Sequence, residues 1–451
     1  MPIKILFIWR NPVNPVETYR LLPVRYQPAP AELFIENRRR LAAALPPGAL
    51  VILHANDIMP TNADGTLGFA QNSDLYYLSG IDQEETVLIL FPDAPDPKQR
   101  EILCVRETSE LIAIWEGDKL TQTQARERSG IQKIVWTSEF EILFRQLMCQ
   151  ASVVFLNGNE HPRASIAVET RELRFARRCQ HEYPLHRYER LSPVLYPLRG
   201  IKSPHEISLL QEACRITRDG FMRLLKFVRP GVHEFEVEAE LAHEFIRQRS
   251  GGFAYTPIIA SGPNACVLHY VTNHCRCEDG QVLLLDIAAK YANYNADLTR
   301  SIPVNGRYTD RQRDVYNAVL RVFRSCCDML KPGVIIREYQ EKVGELMNDE
   351  LIRLSLIDPK AVADQDPEKP LYKKYFMHGT SHHLGIDVHD VPPAWQPIQA
   401  GMVFTVEPGI YIREEGLGIR LENDILIGET GNTDLMADIP IEAEEIEALM
   451  K

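Results

Sequence analysis

At 451 residues the chain exceeds what one hydrophobic core ordinarily organises, so two domains are expected. Hydrophobic residues make up 45% and charged residues 25%, a globular balance that excludes fibrous and disordered classes. A formal net charge of -12 provides no field for phosphate backbones, so nucleic acid is not an expected partner.

Residues 1–30 are rich in proline and aperiodic, and they read as an arm packed on a neighbour or partly ordered. The apolar run Ile3–Trp9 is too short to cross a membrane and no small-residue cleavage site follows it, so no membrane and a cytoplasmic location are expected. Because the first acidic residue is Glu17, organelle targeting stays as the lesser alternative. From Leu33 to Leu45 the apolar spacing is helical, and "ALVILHA" and "ETVLILF" are β-rich runs of strand length. This alternation continues to about Tyr196 and predicts an α/β domain over 31–199. Ser203, Pro204 and Glu206 then form the cap, first position and capping box of a new helix, which opens a second domain over 200–451. The nine cysteines show no paired spacing and fit a reducing compartment; "HCRC" (His274–Cys277) lacks a second half-site and reads as a loop before a strand.

The second domain repeats itself. "VRPGVHEFEVEAELAHEFI" and "LKPGVIIREYQEKVGELM" each place a Pro-Gly turn between helical patterns, and a β-rich hairpin with two acids follows each. Those acids are Asp286 and Asp297 in the first copy and Glu407 and Glu422 in the second. Singly, each reads best as a strand-end acid facing water. Four at matching places, with a histidine, fit a dinuclear metal site, because carboxylates inside apolar strands need a cation or a partner. Four of the 13 histidines crowd into "HGTSHHLGIDVHD". His378 and His382 have the spacing of two ligands on a helix, but Gly379, Gly385 and the alternation in "LGIDVHD" argue for loop and strand, and a HExxH zinc site is excluded by the missing glutamate. His389 stands beside Asp390, and His383 reads as a bystander.

"DIAAKYANYNADLTR", "MHGTSHHLGIDVHD", "GMVFTVEPGIYI" and "GIRLENDILI" in this order resemble the ligand segments of the creatinase/aminopeptidase ("pita-bread") metallopeptidases. "FAQNSDLYYLSGIDQEETVLIL" resembles that family's N-terminal domain. The resemblance implies an α/β (α+β) fold, with a creatinase-like N-terminal domain before a pita-bread domain of pseudo-twofold symmetry. It implies Asp286 on one metal, His382 and Glu407 on the other, and Asp297 and Glu422 bridging both. His269, His378 and His389 match histidines near the substrate carbonyl, and Arg420 matches an arginine supporting the bridging glutamate. Two divalent cations are implied, manganese first and zinc, cobalt or iron as alternatives, since carboxylate-rich ligation favours hard ions.

The resemblance implies release of the N-terminal residue from peptides with proline second, by attack of a water made acidic between two cations, with Glu407 expected also to shuttle the proton. The rivals are an Xaa-Pro dipeptidase and a non-catalytic binding module. A homodimer or homotetramer is implied as well. Ala288 departs from the family's glycine as a packing change that leaves the ligands intact, while Tyr76 and the short Pro-rich "VPPAWQPIQAG" leave the substrate pockets open.

Overall fold

The computed structural model describes residues 25–165, 167–391 and 396–451. Most of the expected arm, and residues 392–395 of "VPPAWQPIQAG", lie outside the described residues. The fold is mixed α/β. In the N-terminal half, β1 (Ala49–His54), β2 (Val87–Leu90), β3 (Glu101–Val105), β4 (Lys133–Trp136), β5 (Val153–Leu156) and β6 (Tyr188–Arg190) form one sheet in the order β4-β3-β2-β1-β5-β6. β1 pairs antiparallel with β2 and parallel with β5. All six residues of β1 are buried, as a continuous apolar run covered on both faces should be. Alternation divides them: Ala49, Val51 and Leu53 join the cluster under the helix Ala31–Ala44, while Leu50 and Ile52 join that of Phe140, Phe144 and Phe175.

The helix Pro204–Phe227 opens with the capping box: Glu206 N donates to Ser203 Oγ at 3.3 Å and Ser203 N to Glu206 Oε2 at 2.8 Å. After it, the turn at Gly231 (φ 97°) leads into the helix Glu234–Arg247. Next come β7 (Gly252–Phe253), β8 (Ile258–Ser261), β9 (Val282–Asp286), β10 (Ala289–Tyr291), β11 (Tyr294–Asn295) and β12 (Thr299–Pro303). The second half follows the same plan, with helices Asp310–Met329 and Ile336–Arg353 around a turn at Gly333 (φ 88°). Its strands are β13 (Val403–Val406), β14 (Gly409–Ile412), β15 (Leu417–Arg420), β16 (Asn423–Ile427) and β17 (Asn432–Asp434).

The two repeats of the C-terminal domain meet strand against strand, with Glu422 N donating to Thr299 O at 3.0 Å. Arg300, fully buried, donates to the carbonyls of Glu422 and Pro440 across the same seam. Among the described residues no helix is long and apolar enough to cross a membrane.

Candidate active site

Backbone pairing places the acids. Asp286 ends β9 opposite Thr299 of β12, and Asp297 lies just before that strand. Glu407 follows β13, and Glu422 occupies the step between β15 and β16. The histidine segment is not helical; it runs extended beside β13, with Glu407 N donating to Thr380 O at 2.8 Å and Thr405 N to His382 O at 3.0 Å. Along an extended chain, residues four apart face the same side, so His378 and His382 both turn toward Glu407. His378 Nδ1 and His382 Nε2 lie 3.5 and 3.6 Å from its carboxylate oxygens.

All nine residues singled out as ligands or catalytic groups line one cavity of about 360 Å³. Asp297, His382 and Glu422 each offer a ligand atom within 4.8 Å of the others. Asp297 and Glu422 are 5% and 2% exposed, so they do not face bulk water. Burial first, then Asp286 and Asp424, pushes the Asp297 carboxyl well above the usual range. Burial with Asp297 and Asp286 does the same to Glu422, and burial with Glu422 does so to Glu407. Acids crowded in this way need protons or cations, and a hard-oxygen donor set with one imidazole suits a divalent cation. The residues present therefore fit a metal centre.

His382 is arranged for that role. Its Nδ1–H donates to His383 O at 3.0 Å, which leaves the Nε2 lone pair facing Asp297 at 3.5 Å, and burial holds the ring neutral by pushing its pKa down to about 4. His378 ends a chain of donors: Arg420 Nη1 donates to Tyr411 at 2.9 Å, the Tyr411 hydroxyl to His378 Nε2 at 2.7 Å, and His378 Nδ1–H to Gly379 O at 2.8 Å. Burial, then Arg420, pushes His378 down to about 3. Arg420 also donates to Asp286 and to Thr299 Oγ1, whose hydroxyl reaches Glu422 at 2.6 Å. His389 accepts from Arg163 at 3.0 Å, and its ring lies 4.3 Å from that of His382. His269 is exposed on the turn after Cys266 and faces the same cavity.

His383 stays out of the cavity. It is buried against the Phe404 ring at 4.2 Å, with Nδ1 lacking a hydrogen-bond partner. "HCRC" precedes β9 as a loop, and its cysteines are free. No motif pointed to Tyr255, whose hydroxyl lies 2.6 Å from both Asp286 and Asp297, or to Arg163, which arrives from the N-terminal half. Tyr411 lies four residues after Glu407 in "GMVFTVEPGIYI", on β14, and that spacing in a β-rich run was the available signal.

Residues 208–429 match metallopeptidase family M24, and residues 34–155 match the aminopeptidase P N-terminal domain. The chain is 35% identical to Xaa-Pro aminopeptidase of Escherichia coli (strain K12), across 92% of this chain and 97% of that protein. It is 29% identical to Xaa-Pro aminopeptidase 3 of Homo sapiens, across 88% of this chain and 80% of that one. Its fold superposes on aminopeptidase P from E. coli with the inhibitor Pro-Leu at a TM-score of 0.83 and 33% identity, covering 94% of this chain and 99% of that one. The chain belongs to metallopeptidase family M24, in its aminopeptidase P branch.

Proposed function

We propose that the protein is a metal-dependent aminopeptidase that releases the N-terminal residue from peptides with proline at the second position. The observation that carries this reading is the convergence of four carboxylates and His382, from both repeats of the C-terminal domain, on one cavity also lined by His269, His378 and His389. The relatives' names supply the substrate class. Asp286, Asp297, His382, Glu407 and Glu422 would hold two divalent cations, manganese in preference because oxygen donors predominate. When bound, the cations polarise the scissile carbonyl and make a water acidic enough to attack near neutral pH.

The chain's own residues do the rest. Glu407, buried and with its carboxyl well above the usual range, takes a proton from the attacking water and passes it to the leaving proline nitrogen. His378, fixed by Tyr411 and Gly379 O, stands with its ring 3.5 Å from Glu407 Oε2 and limits where that carboxyl can turn. His269 has no hydrogen-bond partner among the described residues, so its ring can donate to the developing oxyanion. His389, held by Arg163, positions the substrate. Arg420 fixes Asp286 directly and Glu422 through Thr299.

A cytoplasmic location and a homodimer or homotetramer complete the reading. Exposed Leu111, Ile114 and Trp115, on the short helix Glu110–Glu116, support self-association. The deciding experiment compares manganese-dependent hydrolysis of Xaa-Pro-Yaa and Xaa-Pro. The tripeptide is expected to turn over; cleavage of the dipeptide alone would make the protein a dipeptidase. Neither bound metal nor metal-stimulated activity would make it a binding module.

A further inference from the structure

The stretch Phe69–Leu90 belongs to the N-terminal half, and the reaction described above gives it no task. Its helix Ser73–Ser79 nevertheless reaches the histidine segment through one guanidinium. Arg199, in the last turn of the helix Ser192–Gly200 and 3% exposed, donates from Nη1 to Asp74 Oδ1 at 2.6 Å. From Nη2 it donates to Asp390 Oδ1 at 2.6 Å and to Asp387 Oδ2 at 2.8 Å. Lys202 Nζ takes the other Asp390 oxygen at 2.9 Å, and Ser73 Oγ the other Asp387 oxygen at 2.6 Å. Asn157 Nδ2 donates to the remaining oxygen of Asp74 at 3.0 Å.

These bonds grip a turn that has little hold of its own. Between His382 and His389 the only strand pairing is one isolated bridge, His383 to Phe404. The turn closes through Asp390 N donating to His383 O at 2.9 Å. It packs so tightly that a Cβ on Gly385 would stand 2.1 Å from Asp390 Oδ2. From the opposite side Asn295, two residues before Asp297, donates its backbone N–H to Gly385 O at 2.9 Å and its side-chain amide to Ile386 O at 2.5 Å. The turn is thus fixed between the strand that leads to one acid and a charged clamp from the N-terminal half. His382 enters the turn and His389 lies at its far end.

We propose that Arg199 is a positioning residue for the reaction: through Asp387 and Asp390 it sets the turn that carries His382 and His389, and Ser73 and Asp74 are the N-terminal half's share of the clamp. This rests on the peptidase reading given above. A planar guanidinium aims donors from two separate terminal nitrogens, here Nη1 at Asp74 and Nη2 at Asp387 and Asp390, whereas a lysine ammonium aims its three donors from a single nitrogen. Loss of Arg199 strands Asp74 beside Asn157 alone and leaves the Asp387 and Asp390 side chains free to separate.

The test measures kcat and KM on an Xaa-Pro-Yaa tripeptide, manganese affinity by calorimetry, and thermal unfolding. Arg199→Met is expected to lower kcat and manganese affinity by about 10- to 100-fold, and Arg199→Lys to recover part of both. Glu172→Gln breaks the buried His54–Glu172 pair of the same half (3.1 Å), so it should lower Tm at unchanged kcat and manganese affinity. If Arg199→Met does not fold, Asp387→Asn carries the test, because that side chain is 44% exposed. Its expected loss in kcat is about 10-fold at unchanged Tm. Wild-type kcat and manganese affinity in whichever variant folds would overturn the proposal. A wild-type protein that binds manganese but cleaves no tripeptide would overturn the peptidase reading instead, and manganese affinity would still decide the clamp.

Discussion

The acids and the histidines of the cavity are held by different means. Asp286, Asp297, Glu407 and Glu422 stand at or beside strand ends, where paired backbones fix them: β9 against β12, β13 against β16, and Thr299 against Glu422. His378, His382 and His389 lie on a segment whose backbone makes one isolated bridge and a few single bonds to β13 and Glu407, and side chains supply the rest of its hold: Thr405, Tyr411, Arg163 and Arg199. A backbone ladder survives the loss of any one neighbouring side chain, whereas a side-chain tether does not. The acid set should therefore depend on fewer of the side chains around it, Tyr255 first among them, and the histidine set should respond to residues far along the sequence.

The largest effect is expected on the acid side, from changing an acid itself. Glu407→Gln keeps the shape and removes the proton carrier, so kcat should fall by about 100- to 10,000-fold. Thermal unfolding of the metal-free protein should not suffer, because the change relieves crowding with Glu422. A kcat within tenfold of wild type would remove Glu407 from the proton transfer. Treatment with a chelator followed by dialysis should abolish turnover, and added manganese should restore it; activity that persists in demonstrably metal-free protein would refute the centre.

Tyr255→Phe tests how far the acids depend on side chains. Its hydroxyl is the one group within 2.6 Å of both Asp286 and Asp297 among the contacts described, so manganese affinity should weaken by about 10- to 100-fold. Calorimetry showing wild-type affinity would mean that strand pairing alone aligns the two aspartates.

The same difference decides what the sequence could reveal. The capping box at Ser203, the buried run Ala49–His54 and the two Pro-Gly turns are local signals, and each corresponds to local structure. The four acids were legible because a carboxylate in an apolar strand is costly and because the motif recurs. Arg163, Tyr255 and the Arg199 clamp left no such trace. Each acts across a long chain separation, Arg163 on His389 and Arg199 on Asp387 and Asp390, and an arginine in a helix end reads as a solvated charge until its partners are known.

The smallest expected effect separates His383 from its neighbours. Burial, then the Lys202 charge, pushes its pKa down to about 3, against an ordinary value near 6.5. As pH falls through that interval the unfolded chain binds a proton that the folded protein refuses, so acid favours unfolding by up to about 1.4 kcal/mol per pH unit from this group. His383→Leu removes the titration and the unpartnered Nδ1 while keeping an apolar side chain against Phe404. The variant should keep wild-type kcat at pH 7, since His383 does not line the cavity, and its thermal midpoint should fall less between pH 7 and pH 5. Parallel midpoint curves would show that the folded protein protonates His383 as readily as the unfolded chain does. A lost kcat would place His383 among the histidines that the side-chain tethers hold for the reaction.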